Sequence, residues 1–349
     1  MKVYTGKERV VRAYKKELSD RVPTDIQGNM IGRKRLGISG REMAGDPQKM
    51  AAVIIESWRM IQPDVVSAGV LSLPMAQAAG NECDFDERGV LHAKSRILED
   101  KSNLNRLKLP DPKRDHPLPT HLEVCERVGS VLAEDAGVRG VVSLPWTVAV
   151  QMRGMEEWIY DTADDPEFVH TVMRFCTDYT KILGTAVLEA VGEGVVGLYT
   201  TDPSSGCSVI SPKVYRDFVM PYHKEVVDHF KSMDTLITFH ICGFLDPIME
   251  DIVSTGVDGI SIDEKSSLKK MFEVSGGNLV IIGNIPPLLF ANGTKEEIEA
   301  AVKTCLETSV GEKGYILASG CGIPPHTPQE NLEYFMEAAD KFGRYETGL

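Results

Sequence analysis

Short apolar runs, each closed by glycine or another turn residue, alternate along this chain with longer stretches whose apolar residues recur at helical spacing. Residues 5–16 set Val10, Val11 and Tyr14 among charges and predict an amphipathic helix. Residues 21–28 and 63–69 predict the first two strands. The helix between them, 47–60, has Asp46 as its N-cap and Pro47 at its first position. Further strands are predicted at 139–145, 195–201, 237–243, 259–263, 278–283 and 315–318. Helices are predicted at 121–134, 146–162, 166–191, 212–232, 246–255, 267–274, 294–309 and 327–342, the helix at 294–309 opened by a capping box of Thr294 and Glu297. The pattern breaks over residues 82–121, where charges and the run Leu109-Pro110-Asp111-Pro112 predict an irregular insertion that folds over the mouth of the fold.

The eight strands are near-continuously apolar, which implies burial on both faces and hence a parallel sheet. Eight strand–helix units in 349 residues predict a single α/β domain over residues 1–349, a (β/α)8 TIM-type barrel with its active site at the strand C-termini. The rival, an open doubly wound sheet, lacks a Gly-x-Gly-x-x-Gly after the first strand.

Residues at or just past the strand ends are chemically biased: Asn29, Trp146, Asp202, His240, Cys242, Asp263, Glu264, Asn284 and Cys321. A barrel brings them to one mouth. On an extended strand His240 and Cys242 point the same way, and Cys321 arrives from the last strand. Imidazole and thiolate are the ligands zinc prefers, and three of them leave a position open. The bland alternative is a satisfied core histidine with two buried cysteines. Were zinc bound, two thiolates would cancel its charge and suit it to activating a thiol rather than water. Asp202, Asp263 and Glu264 offer rival acid–base chemistry, as in a decarboxylase. Asp202 also reads as a turn or cap residue before Pro203, and Asp263 and Glu264 as a solvated loop. His326 reads as opening the last helix, with support of a metal ligand as its other role; His223 and His229 read as surface residues.

Composition narrows the classes. A net charge of −13 argues against nucleic-acid binding. No apolar run approaches the roughly 18 residues of a membrane span, and the first residues lack the apolar core of a signal peptide. Seven scattered cysteines predict reduced thiols in a cytoplasmic protein, with Cys83, Cys125, Cys176, Cys207 and Cys305 as ordinary core or surface residues.

Four segments then carry a family likeness: Phe239-His240-Ile241-Cys242-Gly243, Gly256-Val257-Asp258-Gly259-Ile260-Ser261-Ile262-Asp263, Ile282-Gly283-Asn284-Ile285-Pro286-Pro287, and the stretch from Ser319-Gly320-Cys321-Gly322 to Asn331. They resemble the uroporphyrinogen decarboxylase superfamily, and within it the cobamide-dependent branch of methylcobamide:coenzyme M methyltransferases. The resemblance implies a (β/α)8 barrel in which His240, Cys242 and Cys321 bind zinc. That zinc activates a thiol, which takes a methyl group from a corrinoid carried by a partner protein. It leaves Asp202 or Glu264 to orient the substrate or to act as a displaceable fourth ligand, and Asn29, Trp146, Asp263 and Asn284 as candidates for substrate contact. Decarboxylases carry an Arg-Gln-Ala-Gly-Arg-Tyr type segment after the first strand. Here Gln27-Gly28-Asn29-Met30-Ile31-Gly32-Arg33 stands instead, which counts against gripping a tetrapyrrole's carboxylates. Demethylation of a methyl ether or other donor, a decarboxylase-type lyase and a non-catalytic corrinoid-binding module are the alternatives.

Overall fold

The computed structural model describes residues 3–28, 30–86 and 89–345. Asn29 lies outside the described residues. Eight parallel strands are formed by β1 (Thr24–Asp25), β2 (Val65–Val70), β3 (Gly137–Ser143), β4 (Leu198–Thr201), β5 (Ile237–Ile241), β6 (Gly259–Ile262), β7 (Val280–Ile285) and β8 (Tyr315–Ser319). Their order, β1-β8-β7-β6-β5-β4-β3-β2, is that of a (β/α)8 barrel with a seam between β1 and β2. Across the seam the Asp64 N–H donates to the Thr24 carbonyl at 3.0 Å.

One buried carboxylate organises that closure. Asp64, 1% exposed, accepts from the Thr24 N–H at 2.7 Å, Thr24 Oγ1 at 2.9 Å, Arg21 Nη1 at 2.6 Å and Arg9 Nη1 at 2.9 Å. With two cations and two neutral donors around it, this anion is fully solvated by protein. The helix Gly6–Tyr14 closes the bottom of the barrel, burying Val10 and Ala13 against Val65, Val196, Val280 and Ile316. Its N-terminus carries a full capping box from Thr5 and Glu8.

Above this plug the barrel interior is polar. Arg139 donates to Asp25 at 2.6 Å and to Ser67 Oγ at 2.8 Å, and its guanidinium lies 3.7 Å from the centre of the Tyr199 ring.

Several element boundaries depart from the sequence reading. The first strand contracts to two residues. The region 82–121 is not wholly irregular: Glu82–Phe85 and Leu91–Ser95 pair as an antiparallel hairpin, Lys101–Arg106 forms a 3-10 turn, and the next helix begins at Leu118. The insertion docks on the helix Pro145–Arg153, which leaves the C-terminal end of β3; Arg153 Nη1 donates to Leu98 O at 2.9 Å and Glu99 O at 2.8 Å. The helix predicted at 146–162 stops at Gly154 and restarts as Met155–Asp164. The helix predicted at 212–232 carries a π turn at Tyr215–Val219, just before Pro221. Proline has no N–H for the carbonyl one turn back, so the turn opens there. A short helix at Pro287–Asn292 was absent from the sequence reading. Among the described residues no helix is long and apolar enough to cross a membrane.

Candidate metal centre

β5 ends at Ile241 and β8 at Ser319, so His240 and Cys242 leave one strand end and Cys321 the other. The three side chains meet. His240 Nε2 lies 3.1 Å from Cys242 Sγ, the two sulfurs are 3.4 Å apart, and Cys321 Sγ is 3.7 Å from His240 Nε2. Among the described residues this is the one group of three or more His, Cys, Asp or Glu side chains close enough to share an ion. Tetrahedral zinc with bonds of about 2.3 Å to sulfur and about 2.0–2.1 Å to nitrogen sets its donors about 3.5–3.8 Å apart. Shifts of a few tenths of an ångström bring these three to that spacing, so the donor set fits. His240 is buried while both thiols are partly exposed, which turns the open side of the triangle towards the mouth.

Proximity splits the two thiols. Hydrogen bonding with Cys242, then with His240, draws the Cys321 thiol down to about 4. The hydrogen bond with Cys321, then burial, pushes Cys242 far up. One proton is easily lost and the second is held.

The loops after β4 and β6 cradle Cys242. The Cys207 N–H donates to Phe244 O at 2.9 Å, and the Phe244 N–H to Ser208 Oγ at 2.9 Å. Ser266 Oγ donates to Gly243 O at 2.7 Å and accepts from the Leu245 N–H at 2.9 Å. Gly206 comes so close that a Cβ there would lie 2.2 Å from the Cys242 carbonyl oxygen.

The other strand-end residues divide. Asp202 has no exposed surface. Its Oδ1 accepts from the Thr147 N–H at 2.7 Å and from the Thr147 hydroxyl, and its Oδ2 meets His223 Nε2 at 2.7 Å. It caps the N-terminus of the helix Pro145–Arg153, and both oxygens are engaged, so the role open to it here is support. His223, read from sequence as a surface residue, is fully buried, and His229 is half-buried. Trp146 is also buried, packed on Trp158 with its indole N–H donating to Ser204 O at 3.2 Å. That makes it wall rather than contact surface.

Glu264 is exposed beside the centre. Gly320 is what allows the approach, since a Cβ there would lie 2.8 Å from the Glu264 nitrogen. Partial burial, then the neighbouring Asp263, raises the Glu264 carboxyl. Asp263 accepts from the Lys265 N–H at 3.0 Å. Asn284 Nδ2 donates to Asp263 O at 3.2 Å and Ser266 O at 3.0 Å, so it holds this loop in place. His326 is exposed in the turn before the last helix.

Sequence reasoning passed over four residues that frame the site: Gln27, Tyr199, Ser261 and His223. Ser261 is directly opposite His240 in the β5–β6 register, and the Tyr199 ring stacks on the His240 imidazole with centroids 5.9 Å apart.

The sequence model of the uroporphyrinogen decarboxylase (URO-D) family matches residues 5–342. The chain belongs to that family. Among characterised members, the methylcobamide:CoM methyltransferase MtbA of Methanosarcina mazei is 28% identical over 353 residues, 98% of this chain and 99% of its own length. The uroporphyrinogen decarboxylase of Prochlorococcus marinus is 28% identical over 313 residues, 86% of this chain and 85% of its own. A solved methyltransferase from Methanosarcina mazei superposes with a TM-score of 0.85 at 24% identity, covering 97% of this chain and 99% of that one. Its likeness supports the URO-D barrel as the fold.

Proposed function

We propose that this URO-D family protein is a zinc-dependent methyltransferase that moves a methyl group between a corrinoid held by a partner protein and a small thiol. The observation that carries the reading is the convergence of His240, Cys242 and Cys321 at donor spacing, on a chain whose full-length relatives include methylcobamide:CoM methyltransferases. A relative that the chain matches over 57% of its length acts, by its name, between methylated thiols and coenzyme M, which agrees with a sulfur substrate.

Zinc held by these residues would supply deprotonation of a bound thiol, leaving its sulfur the nucleophile. Cys242 and Cys321 as thiolates neutralise a dication, and His240 adds a donor without charge. Two thiolate donors make the ion a weak Lewis acid, which favours a thiol over water. Glu264, exposed beside the centre with a raised carboxyl, is proposed to take the proton the thiol loses. Asp263 and Asn284 are proposed to face the substrate, with Asn29 a further candidate for contacting it, and Asp202 and Trp146 to hold the wall behind it.

Metal analysis and methyl transfer from methylcobalamin to simple thiols test the reading. Stoichiometric zinc, lost in Cys242→Ala together with thiol methylation, supports it; a folded wild-type chain that takes up no zinc refutes it. Decarboxylase-type chemistry is the second reading, favoured by the decarboxylase relatives. Release of CO₂ from uroporphyrinogen by the purified protein would decide for it.

A further inference from the structure

We propose that Gln27 and Ser261 are positioning residues for the metal centre, holding His240 in the tautomer that leaves Nε2 free for an ion. The inference rests on the metal-centre reading above. Ser261 Oγ lies 3.1 Å from His240 Nδ1. Gln27, just past the end of β1, donates from Nε2 to Ser261 Oγ at 2.8 Å and to Ser319 O at 3.3 Å. Its backbone N–H donates to Ser319 Oγ at 3.1 Å. One side chain therefore joins the strand that supports His240 to the strand that delivers Cys321.

Counting protons selects the tautomer. A serine hydroxyl has one proton and two acceptor sites. The Gln27 amide occupies one acceptor site of Ser261. If Ser261 gave its proton to Nδ1, the ring proton would sit on Nε2, between His240 and Cys242, and the imidazole could not ligate. If Nδ1–H donates to Ser261 instead, Nε2 is bare and the serine proton needs another acceptor. Tyr199 provides it. Its buried hydroxyl makes no hydrogen bond among the described residues, so it is left open to accept one. The ring cannot swing away, being held between the Arg139 guanidinium at 3.7 Å and the His240 imidazole at 5.9 Å. Only this second arrangement pairs Gln27 and Ser261 and still leaves His240 ready for a metal. A histidine ligand whose other ring nitrogen is fixed in this way binds metal more tightly, and loss of the outer partner commonly weakens binding by about 10–100-fold.

The test uses the full chain, with Ser261→Ala, Gln27→Met and Ser261→Thr, read by chelator competition for zinc and by the visible spectrum of the cobalt-loaded protein. The expected result is zinc binding weaker by about 10–100-fold in Ser261→Ala and Gln27→Met. Their ligand-field bands shift, while the thiolate-to-cobalt bands persist because both cysteines remain. Ser261→Thr, which keeps the hydroxyl, recovers affinity. Should Ser261→Ala fail to fold, Gln27→Met decides alone, since that side chain is half-buried at a strand end. Wild-type affinity and an unchanged cobalt spectrum in the folded variants would overturn this inference alone. A wild-type chain that binds no metal overturns the reading of the centre, and this inference with it.

Discussion

Asp202 and His223 meet at 2.7 Å with no exposed side-chain surface on either partner. Thr147 takes the other carboxylate oxygen, the Tyr215 hydroxyl lies 3.3 Å from His223 Nδ1, and the Asp202 N–H donates to the His240 carbonyl at 2.8 Å. The pair thus ties the helix after β3 and the helix Met220–Lys231 to the strand that carries two of the three candidate ligands. Replacing His223 with Ala strips one buried carboxylate oxygen and opens a cavity. We expect a loss of about 3 kcal/mol in denaturant unfolding. Metal content of the folded fraction should be retained. Loss of metal with unchanged stability would instead give Asp202 a direct role.

The unequal cysteines fix a pH dependence. With Cys321 drawn down to about 4 and Cys242 pushed up, the pair keeps one proton near neutrality, and an ion must expel it. Metal affinity should therefore rise about tenfold per pH unit from about pH 7 to about pH 8.5, with one proton released per ion. A pH indicator in weak buffer counts the proton, and competition with a chelator of known protonation gives the slope. A flat profile would mean that both sulfurs are already thiolates.

Gly206 sets the position of Cys242 from outside. Gly206→Ala puts a methyl group against the Cys242 carbonyl, 2.2 Å from the ideal Cβ, and no flexible side chain is there to yield. We expect destabilisation of about 1–3 kcal/mol and a shift in the spectrum of bound cobalt. Gly256→Ala is the control: its φ is +80° but nothing lies within 4 Å. It should cost about 1–2 kcal/mol of backbone strain and leave the cobalt spectrum alone.

Glu264→Gln keeps size and removes the proton acceptor proposed at the rim. Zinc content should be unchanged and the rate of thiol methylation down by about 10²-fold, with recovery as the pH is raised and solvent takes over the proton. Equal loss of zinc would mark Glu264 as a ligand instead.

Much of this was legible in the sequence, for physical reasons. Strands buried on both faces cannot alternate polar and apolar residues, so their runs stand out. The period of two within a strand aims His240 and Cys242 together, which made the triad visible once a barrel was assumed. Asp202 and Trp146 lie just past strand ends yet are fully buried, which a strand-end position alone does not reveal. A helix N-terminus claims the carboxylate, the cap role its place before Pro203 also allows, and Trp146 packs on Trp158. His223 does carry a signal: Tyr222, His223, Val226, Val227 and Phe230 form one buried face of the helix. The π turn before it shifts the helical phase, and a histidine does not announce which face it occupies. Gln27 and Ser261 were hidden because their importance lies in strand register, which no single segment contains.

The first strand shares just two ladder positions with its neighbour, Thr24 with Leu317 and Asp25 with Ala318. Thr24 donates twice to Asp64, and Asp25 pairs with Arg139. With so short a ladder, this stave is where we expect the barrel to open first. Gln27 hangs from it, so each opening also releases the clamp behind His240. Amide protons at residues 24–27 should exchange with solvent well ahead of those in β5, and loading the centre with metal should slow them, which couples the ion's residence to the motion of a strand that does not touch it.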